Sequence, residues 1–449
     1  MVNNRWRGIL LAALLPLCAT AQETVSRWTL RQCIDYALEH NVQLRQKSAA
    51  ESSAAVDVAE AKAARLPSLS GQITQGLTYR PFQQTGSSFV NGGIATSAAD
   101  KATQSGNYGV TAQWVAWNGG KTRMNIENAE LSQRIAAYDT QTSANSIQEQ
   151  IAQLYVQILY MTEAERVNRQ LLSQDSVLCE RGREMVNVGS MAKADLAQLE
   201  AQVSQGRYDV VNTGTQIADA KMQLAQLLEL PEGQSIEVEP VDAAEAEVLA
   251  AIPAKMSVYE AALAARPEVK SSELSVEQSK LATKIARTGY YPTVSLTGSL
   301  GDSHMTGSTT TFGQQMRNNF NAQVGVSLSI PIFDNRKTKS AVERAKVAET
   351  TAELSLQDTR KNLYKTVETY WLNATNSQAK YLAARSNVES LETSYELMSE
   401  QFSVGVKNIA ELLTSRASLL NAKQQLIQDK YTALLNRELL GFYAGESLD

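Results

Sequence analysis

The ten residues NAQVGVSLSI, positions 321–330, alternate strictly between polar and apolar side chains. Successive side chains of a β-strand point to opposite faces of its sheet, so this stretch predicts a strand with one polar and one apolar face. Residues 107–114, NYGVTAQW, alternate in the same way. A soluble sheet that packs its apolar face on a core would show this pattern, and so would a sheet whose apolar face meets lipid.

The two strands belong to a duplicated sequence, in which both copies have the same order of predicted elements. The alignments pair residues 38–44 with 263–269, 66–69 with 291–294, 109–111 with 325–327, 121–123 with 337–339 and 188–189 with 404–405. Each copy reads as helix, proline, strand, loop, strand, very long helix, glycine and helix. Repetition of a whole pattern indicates that both copies fold as the same unit.

This repeat divides the chain into segments with different expected structures. The segments are a signal peptide (1–21), a first repeat (22–230), a periplasmic linker or equatorial segment (231–256) and a second repeat (257–449). The expected membrane strands lie at about 68–80, 106–117, 293–301 and 320–332. Strands of about 9–11 residues with one apolar face are typical of outer-membrane barrels.

The first residues have the composition of a secretory signal. Arg5 and Arg7 precede an apolar run over residues 9–17, and small residues follow at 19–21, so the mature chain is expected outside the cytoplasm. The apolar run is shorter than the ~20 residues that a helix needs to cross a bilayer. Alternatively, Cys18 could be a lipid-anchored first residue, although Leu17 before it is larger than lipid-attachment signals prefer.

Two proline-free stretches, residues 123–187 and 338–403, predict very long helices. At 1.5 Å per residue, an unbroken helix of about 65 residues would be ~97 Å long. Apolar residues such as Ile147, Ile151 and Leu154 recur at spacings of three and four. A helix of this length favours a coiled coil or a similar extended bundle.

Composition and motifs argue against several classes of function. The formal net charge is −5 and no basic stripe is present, so we expect no nucleic-acid partner. The two histidines, His40 and His304, have no cysteine or histidine at ligand spacing, so we expect neither a metal nor a cofactor. The run 118–122 resembles the end of a phosphate loop but lacks the first glycine of that motif. We therefore expect no enzyme activity.

Four strands per chain are too few to close a barrel. An open sheet edge in hydrocarbon leaves unpaired backbone groups, each of which costs several kcal/mol, so the chain must oligomerise if the strands span a membrane. Two copies would give about eight strands around a filled interior, whereas three would give about 12 strands around a lumen.

The layout resembles the TolC-type outer membrane efflux protein family over essentially the whole mature chain. The repeated order of elements, the strand entries LPSL (66–69) and YPTV (291–294), and the paired segments 189–195 and 405–411 carry the resemblance. It implies a mixed α/β membrane protein, in which a trimeric 12-stranded barrel in the outer membrane is continued by a long α-helical periplasmic tunnel.

The same resemblance implies a passive channel component of a tripartite efflux or type I secretion system, which exports small molecules. The implied partners are two further copies in a homotrimer, a periplasmic adaptor protein, an inner-membrane transporter and outer-membrane lipid. The rival hypothesis is a non-conducting periplasmic coiled-coil adaptor or scaffold, which would share the long helices but would not need four amphipathic strands.

By this resemblance, the turns at Gly189 and Gly405 form the periplasmic mouth of the channel. Glu411 falls where the family places an acidic ring, and Lys407 and Asp195 fall where a basic residue and an acid bond between neighbouring helices. The alternative is that Asp195 and Glu411 are acids near helix starts, which the helix dipole favours by ~0.3–1 kcal/mol.

The sequence departs from the best-known family pattern at this mouth. Phe402 stands in place of a tyrosine that bonds across the mouth, Lys407 in place of an arginine, and Thr414 in place of a second acid. We therefore expect a closure held by fewer or weaker contacts.

Aromatic residues mark the expected strand ends. Trp114 and Trp117, with Phe333 at the matching end in the second copy, stand where an interfacial aromatic girdle belongs. The alternative is that these rings pack against the helical tube.

Overall fold

A computed structural model of the chain describes residues 27–82, 86–90, 93–97, 101–241, 245–306 and 310–448. The expected signal peptide, with Cys18, lies outside the described residues. The helices are α1 (Leu30–His40), α2 (Val42–Ala63), α3 (Lys121–Asn187), α4 (Lys193–Leu227), α5 (Glu245–Val248), α6 (Lys255–Ala265), α7 (Pro267–Arg287), α8 (Phe312–Asn318), α9 (Lys337–Ser403) and α10 (Ile409–Ala444). The strands are β1 (Arg27–Trp28), β2 (Ser68–Tyr79), β3 (Gly86–Val90), β4 (Gly93–Ser97), β5 (Ala102–Trp117), β6 (Glu237–Val238), β7 (Thr293–Met305) and β8 (Asn321–Ser329).

The main sheet has the order β2-β5-β7-β8, and all of its neighbouring strands are antiparallel. Each copy of the repeat supplies a pair of strands, and β5 joins the two pairs by bonding to β7. Strand β5 begins at Ala102 and β7 continues to Met305, both beyond the predicted bounds. The reason is that β5 pairs with β2 as far as Ala102 and Tyr79, and with β7 as far as Ser105 and Met305. Strand β8 ends at Ser329, two residues before Pro331, whose nitrogen has no hydrogen to donate to a sheet ladder.

Two helices dominate the rest of the molecule. Helices α3 and α9 are each 67 residues long, which corresponds to ~100 Å at 1.5 Å per residue. Helix α3 packs along α4, and α9 packs along α10, so each copy of the repeat forms a long antiparallel helix pair. Helix α7 lies against both α3 and α9, and α10 also contacts α3. The helix pairs of the two copies therefore form one bundle.

The apolar core lies where short elements cross the long helices. Strands β1 and β6 form a parallel pair beside α3, and Ile236 and Val238 of the linker are buried against the bundle. Tyr155 of α3 is 2 % exposed, and its hydroxyl donates to the carbonyls of Trp28 at 3.2 Å and Glu239 at 2.9 Å. The linker is thus tied to the middle of the helical bundle.

The cysteines that the structure describes, Cys33 and Cys179, are buried and not bonded to each other. No helix in the described part of the chain combines the length and the hydropathy that crossing a membrane requires.

Candidate functional site: the amphipathic sheet and the helix tips

One face of the main sheet is polar and uncharged. Apart from glycines and two apolar residues, Val115 and Met305, the residues that the strand register places on this face have hydroxyl or amide side chains. They are Ser68, Ser70, Gln72, Thr74, Thr78, Thr103, Ser105, Asn107, Thr111, Gln113, Thr293, Ser295, Thr297, Ser299, Ser303, Asn321, Gln323, Ser327 and Ser329. Such side chains hydrogen-bond water readily and carry no net charge. This face can line an aqueous space without strongly attracting either sign of ion.

The opposite face is apolar and uncovered. Ile73 of β2 is 74 % exposed and Val324 of β8 is 85 % exposed. A soluble sheet would bury this face on a core, whereas the described contact here is a small one near the loops, where Phe312 of α8 meets the His304 ring edge-on with 4.9 Å between ring centroids. Strands β2 and β8 are also the two edges of the sheet and have no further strand partner among the described residues. The sheet thus has the exposed apolar face and open edges of an incomplete barrel.

A bulge in β5 sets the positions of the predicted girdle tryptophans. Trp114 pairs with Leu296 and Trp117 pairs with Val294, because the register shifts between Val115 and Trp117. Without the shift, residues three apart would face opposite sides of the sheet. With it, both tryptophans lie on the apolar face.

The surroundings of these aromatic residues differ. The indole Nε1 of Trp114 donates to the carbonyl of Arg65 at 2.8 Å, which ties the strand to the end of α2. Trp117 meets the ring of Tyr291 edge-on, with 6.4 Å between ring centroids. Phe333 lies beyond the end of β8 and is 84 % exposed.

The two helix tips have the same backbone geometry. Gly189 follows α3 and Gly405 follows α9, and both have φ +76°, a left-handed conformation that glycine adopts without steric strain. In each turn the third residue after the helix bonds back to its last turn, through the Ser190 nitrogen to the Met185 carbonyl at 2.8 Å and through the Val406 nitrogen to the Gln401 carbonyl at 2.9 Å. This is the Schellman arrangement, which ends a helix sharply and satisfies its free carbonyls.

Phe402 lies inside the apolar cluster of the tip. It is 9 % exposed and packs with buried residues of α3, α4 and α10, namely Cys179, Leu199, Val203, Ile409 and Leu412. A buried ring of this size contributes several kcal/mol through apolar burial. Phe402 therefore joins the two helix pairs of one chain at the tip.

The charged residues of the tip are arranged differently. Lys407 forms an ion pair with Glu411 of the same chain, with 2.8 Å between Nζ and Oε2, and both side chains are more than a third exposed. Glu411 also lies in the first turn of α10, where Asn408 caps the helix by accepting from the Glu411 nitrogen at 2.9 Å. Asp195 lies in the first turn of α4 and makes no side-chain bond to another described residue.

A buried ion pair farther from the tip joins α3 to α10 and was missed in the sequence. The Nε of Arg416 donates to Oδ1 of Asp175 at 2.6 Å, and Nη2 pairs with Oδ2. The side chains are 6 % and 4 % exposed. Burial raises the pKa of the Asp175 carboxyl, against the opposing effect of the Arg416 hydrogen bond and charge. The available signal was a lone charge within each of two leucine-rich stretches, LLSQDSVL (171–178) and LLTSRASLL (412–420).

The described residues contain no group of three or more His, Cys, Asp or Glu placed to hold a metal ion. His40 stacks on Tyr36 at the end of α1, and His304 stacks on Tyr108 in the sheet.

Comparisons with known proteins agree with this architecture. The family model described as outer membrane efflux protein matches residues 33–229 and 258–446. Outer membrane protein TolC of Salmonella enteritidis is 25 % identical over 95 % of this chain and 84 % of its own length. Outer membrane efflux protein BepC of Brucella suis is 22 % identical over 80 % of this chain and 75 % of its own length. The crystal structure of CusC, described in connection with transmembrane channel formation, superposes with a TM-score of 0.79 at 16 % identity, over 93 % of this chain and 92 % of that one.

Proposed function

The chain belongs to the outer membrane efflux protein family, and from that premise we propose that three copies form a passive conduit. The protein is the outer-membrane channel component of an efflux or type I secretion system, with its helices in the periplasm. We assign the membrane part of the conduit to the sheet and its closure to the helix tips.

The observation that carries the trimer is the exposed apolar face of the sheet between two open edges. In lipid, both edges must find strand partners, because unpaired backbone groups in hydrocarbon cost several kcal/mol each. The edge of β8 in one copy can pair with the edge of β2 in the next. Three copies would give about 12 strands and a water-filled lumen, whereas two would give about eight strands and a filled interior.

The neutral polar face supports a wide conduit with little selectivity in its barrel. Its hydroxyl and amide side chains would face the lumen, while outer-membrane lipid contacts the apolar face. Trp114, Trp117 and Phe333 would then lie near the membrane interface, where aromatic rings are favoured. We propose no catalytic role and no cofactor for the chain.

The periplasmic tip would act as the gate. Buried Phe402 provides the apolar packing of the closed tip, and Lys407 and Glu411 add an exposed ion pair worth about 0–1 kcal/mol. In the trimer, Asp195 is available to Lys407 of a neighbouring copy, and Glu411 contributes one acid per copy to the mouth. A closure with so little charge pairing is one that a docked protein can open.

Exposed valines at the tips support docking of a protein partner there. Val188, Val404 and Val406 are 79 %, 73 % and 70 % exposed, beside Gly189 and Gly405. Apolar side chains grouped at the end of an extended structure mark a contact surface. We propose that a periplasmic adaptor covers this end and joins the channel to an inner-membrane transporter.

Conductance across planar lipid bilayers tests the channel and its gate together. The purified protein should give discrete currents with a preference for cations. Glu411→Gln should lower the cation-to-anion permeability ratio by roughly two- to fivefold, because one negative charge per copy leaves a narrow mouth beside Lys407.

The matched control is Glu396→Gln, which removes an exposed acid of α9 away from the turn and should leave the ratio unchanged. Discrete currents with unaltered selectivity in Glu411→Gln would keep the channel and remove Glu411 from the gate. A protein that stays in water and never conducts would instead support the periplasmic scaffold.

A further inference from the structure

A cavity of about 450 Å³ lies where the start of α7 meets the end of α10 and the side of α3. Gln141, Asn145 and Gln148 of α3 line one wall, and Arg266, Phe442 and Glu446 line the others. This cavity belongs to the helical bundle, far along the chain from the sheet and the tips. Nothing in the proposed channel mechanism uses it.

Arg266 is the unusual residue of this cavity. It is 5 % exposed, and its guanidinium carbon lies 3.7 Å from the ring centroid of Tyr443 and 4.5 Å from that of Phe442. Stacking on rings occupies the flat face of a guanidinium and leaves its N–H edges free. Within the described part of the chain, Nε and Nη2 have no hydrogen-bond partner. A buried charged donor without a partner is costly, so an occupant is expected.

The two free donors suit one kind of occupant. The N–H groups on Nε and Nη2 lie side by side on one edge of the guanidinium, the arrangement that binds two oxygens of a carboxylate or phosphate. Arg266 is also the N-cap residue of α7, which has 21 residues and no side-chain cap. The free N–H groups and the dipole of that first turn favour negative charge as well.

The described acids nearby do not form an ion pair with Arg266, although the negative charges of Glu268 and Glu149 act on it electrostatically. Both carboxylate oxygens of Glu149 accept hydrogen bonds from tyrosine hydroxyls, Oε1 from Tyr370 and Oε2 from Tyr443. Neither Glu268, the next acid along α7, nor Glu446 on the far wall forms an ion pair with Arg266 among the described residues. Burial lowers the pKa of Arg266, but a guanidinium in a protein stays protonated at neutral pH.

The first copy of the repeat shows how the same junction closes without an occupant. Asn41 aligns with Arg266, and its Oδ1 accepts from the nitrogens of Gln43 and Leu44 at the start of α2. Its Nδ2 donates to the Leu227 carbonyl at the end of α4 at 2.9 Å. Arginine has no acceptor atom and cannot cap a helix in this way. In the first copy, therefore, the side chain at this junction forms hydrogen bonds with both helices that meet there. In the second copy, the equivalent side chain lines a cavity and has free donors.

We propose that this cavity is an oxyanion site, in which Nε and Nη2 of Arg266 hold the two oxygens of a carboxylate or phosphate group. The group is either a solute anion or an acidic side chain of a neighbouring copy, since both present the same pair of oxygens. The bound oxyanion would fasten the start of α7 to α3 and α10 within the bundle. The site does not depend on ion conduction.

The test uses the full-length protein in detergent, with inorganic phosphate as the probe. Isothermal titration calorimetry and thermal unfolding followed by circular dichroism are measured in phosphate and in chloride at matched ionic strength, and native mass spectrometry reports assembly. For a solute anion, phosphate should bind saturably and raise the unfolding temperature. Arg266→Lys keeps a cation over the rings but loses the two side-by-side N–H donors of the guanidinium. It should therefore weaken phosphate binding by about tenfold or more.

Two variants sharpen this result. Arg287→Lys, at the other end of α7, is the matched control and should bind phosphate as the wild type does. Glu446→Gln removes a negative charge from the cavity wall and should strengthen binding.

The remaining outcomes are decisive as well. If phosphate does not bind, but Arg266→Lys dissociates to smaller assemblies with unchanged helix content while Arg287→Lys does not, the oxyanion is a side chain of a neighbouring copy. If Arg266→Lys matches the wild type both in phosphate binding and in assembly, the proposal is wrong. An adventitious ion only, bound equally by wild type and Arg266→Lys, belongs to that outcome. Since none of these readouts is a current, a failed channel and a failed oxyanion site are distinguishable.

Discussion

Two ion pairs in the periplasmic helices have the same chemistry and opposite surroundings. Asp175 and Arg416 are 4 % and 6 % exposed in the bundle, whereas Lys407 and Glu411 at the tip are 38 % and 42 % exposed. A buried pair is hard to break because each lost partner leaves an unpaired charge away from water, while water readily replaces the partner of an exposed charge. The comparison indicates that charge pairing resists opening within the bundle and contributes little at the tip, where we propose the gate.

The largest effect is expected when the buried pair is broken. Asp175→Asn should lower the free energy of opening of the surrounding helices by about 3–5 kcal/mol, because the Arg416 guanidinium stays buried without its counter-charge. Hydrogen exchange of amides in α3 and α10 measures this local opening. Asp219→Asn, at an exposed position of α4, is the matched control and should change little.

A double variant separates the cost of the unpaired charge from the value of the pair. Asp175→Leu with Arg416→Met should recover most of the lost stability, since apolar replacements of a buried pair are often neutral or stabilising. Unchanged exchange in Asp175→Asn would mean that water reaches the pair and that the bundle is not rigid there.

A smaller effect is expected at the tip turn. Gly405→Ala should destabilise the end of α9 by about 1–2 kcal/mol, because φ is +76° and a Cβ clashes in that conformation. Gly214→Ala, inside α4, has room for its methyl group, which would lie 3.8 Å from Oε1 of Glu165, and should stabilise the helix by about 0.5–1 kcal/mol. Hydrogen exchange of the last turn of each helix reports both changes. If Gly405→Ala stabilises its helix as Gly214→Ala does, the turn does not hold its left-handed glycine geometry.

The smallest effect is expected for the exposed pair. Lys407→Gln should change tip stability by less than about 1 kcal/mol, and even that difference should fade in high salt because solvent-exposed charges are screened. Hydrogen exchange at the start of α10, at low and high ionic strength, provides the measurement. A loss above about 2 kcal/mol would indicate that Lys407 has a second partner, and suppression of that loss in an Asp195→Asn background would identify the acid of a neighbouring copy.

The regular elements of the fold were predictable where one periodicity extends over many residues. Residues 321–330 alternate without interruption, and the predicted helix 338–403 differs from Lys337–Ser403 by a single residue at its start. The ends of β5 and β7 were not predictable, because the face that is apolar elsewhere carries Gln104 on β5 and Asp302 and His304 on β7 near the loops. Hydrogen bonding to the neighbouring strand, rather than side-chain pattern, extends these strands.

The candidate site was less predictable than the fold. The glycines of the tips were identifiable because positive φ favours glycine. Phe402 was named only through the family resemblance, as the replacement of a tyrosine, and its burial among α3, α4 and α10 required the structure. The side on which Trp117 lies depends on a bulge that leaves no mark in the sequence. The partner of a buried charge depends on which helices pack together, so the pairing of Asp175 with Arg416 required the structure.

The sequence by itself determined the duplicated architecture, the amphipathic sheet and the long helices, since each follows from local periodicity and from side chains that prefer water or avoid it. Only the tertiary structure decided which charged groups are buried and which of those have no hydrogen-bond partner among the described residues. Asn41 and Arg266 occupy equivalent places in the two copies, yet one closes its junction with its own hydrogen bonds and the other faces a cavity with free donors. That difference depends on the distance and direction of groups from other helices, which no local pattern encodes.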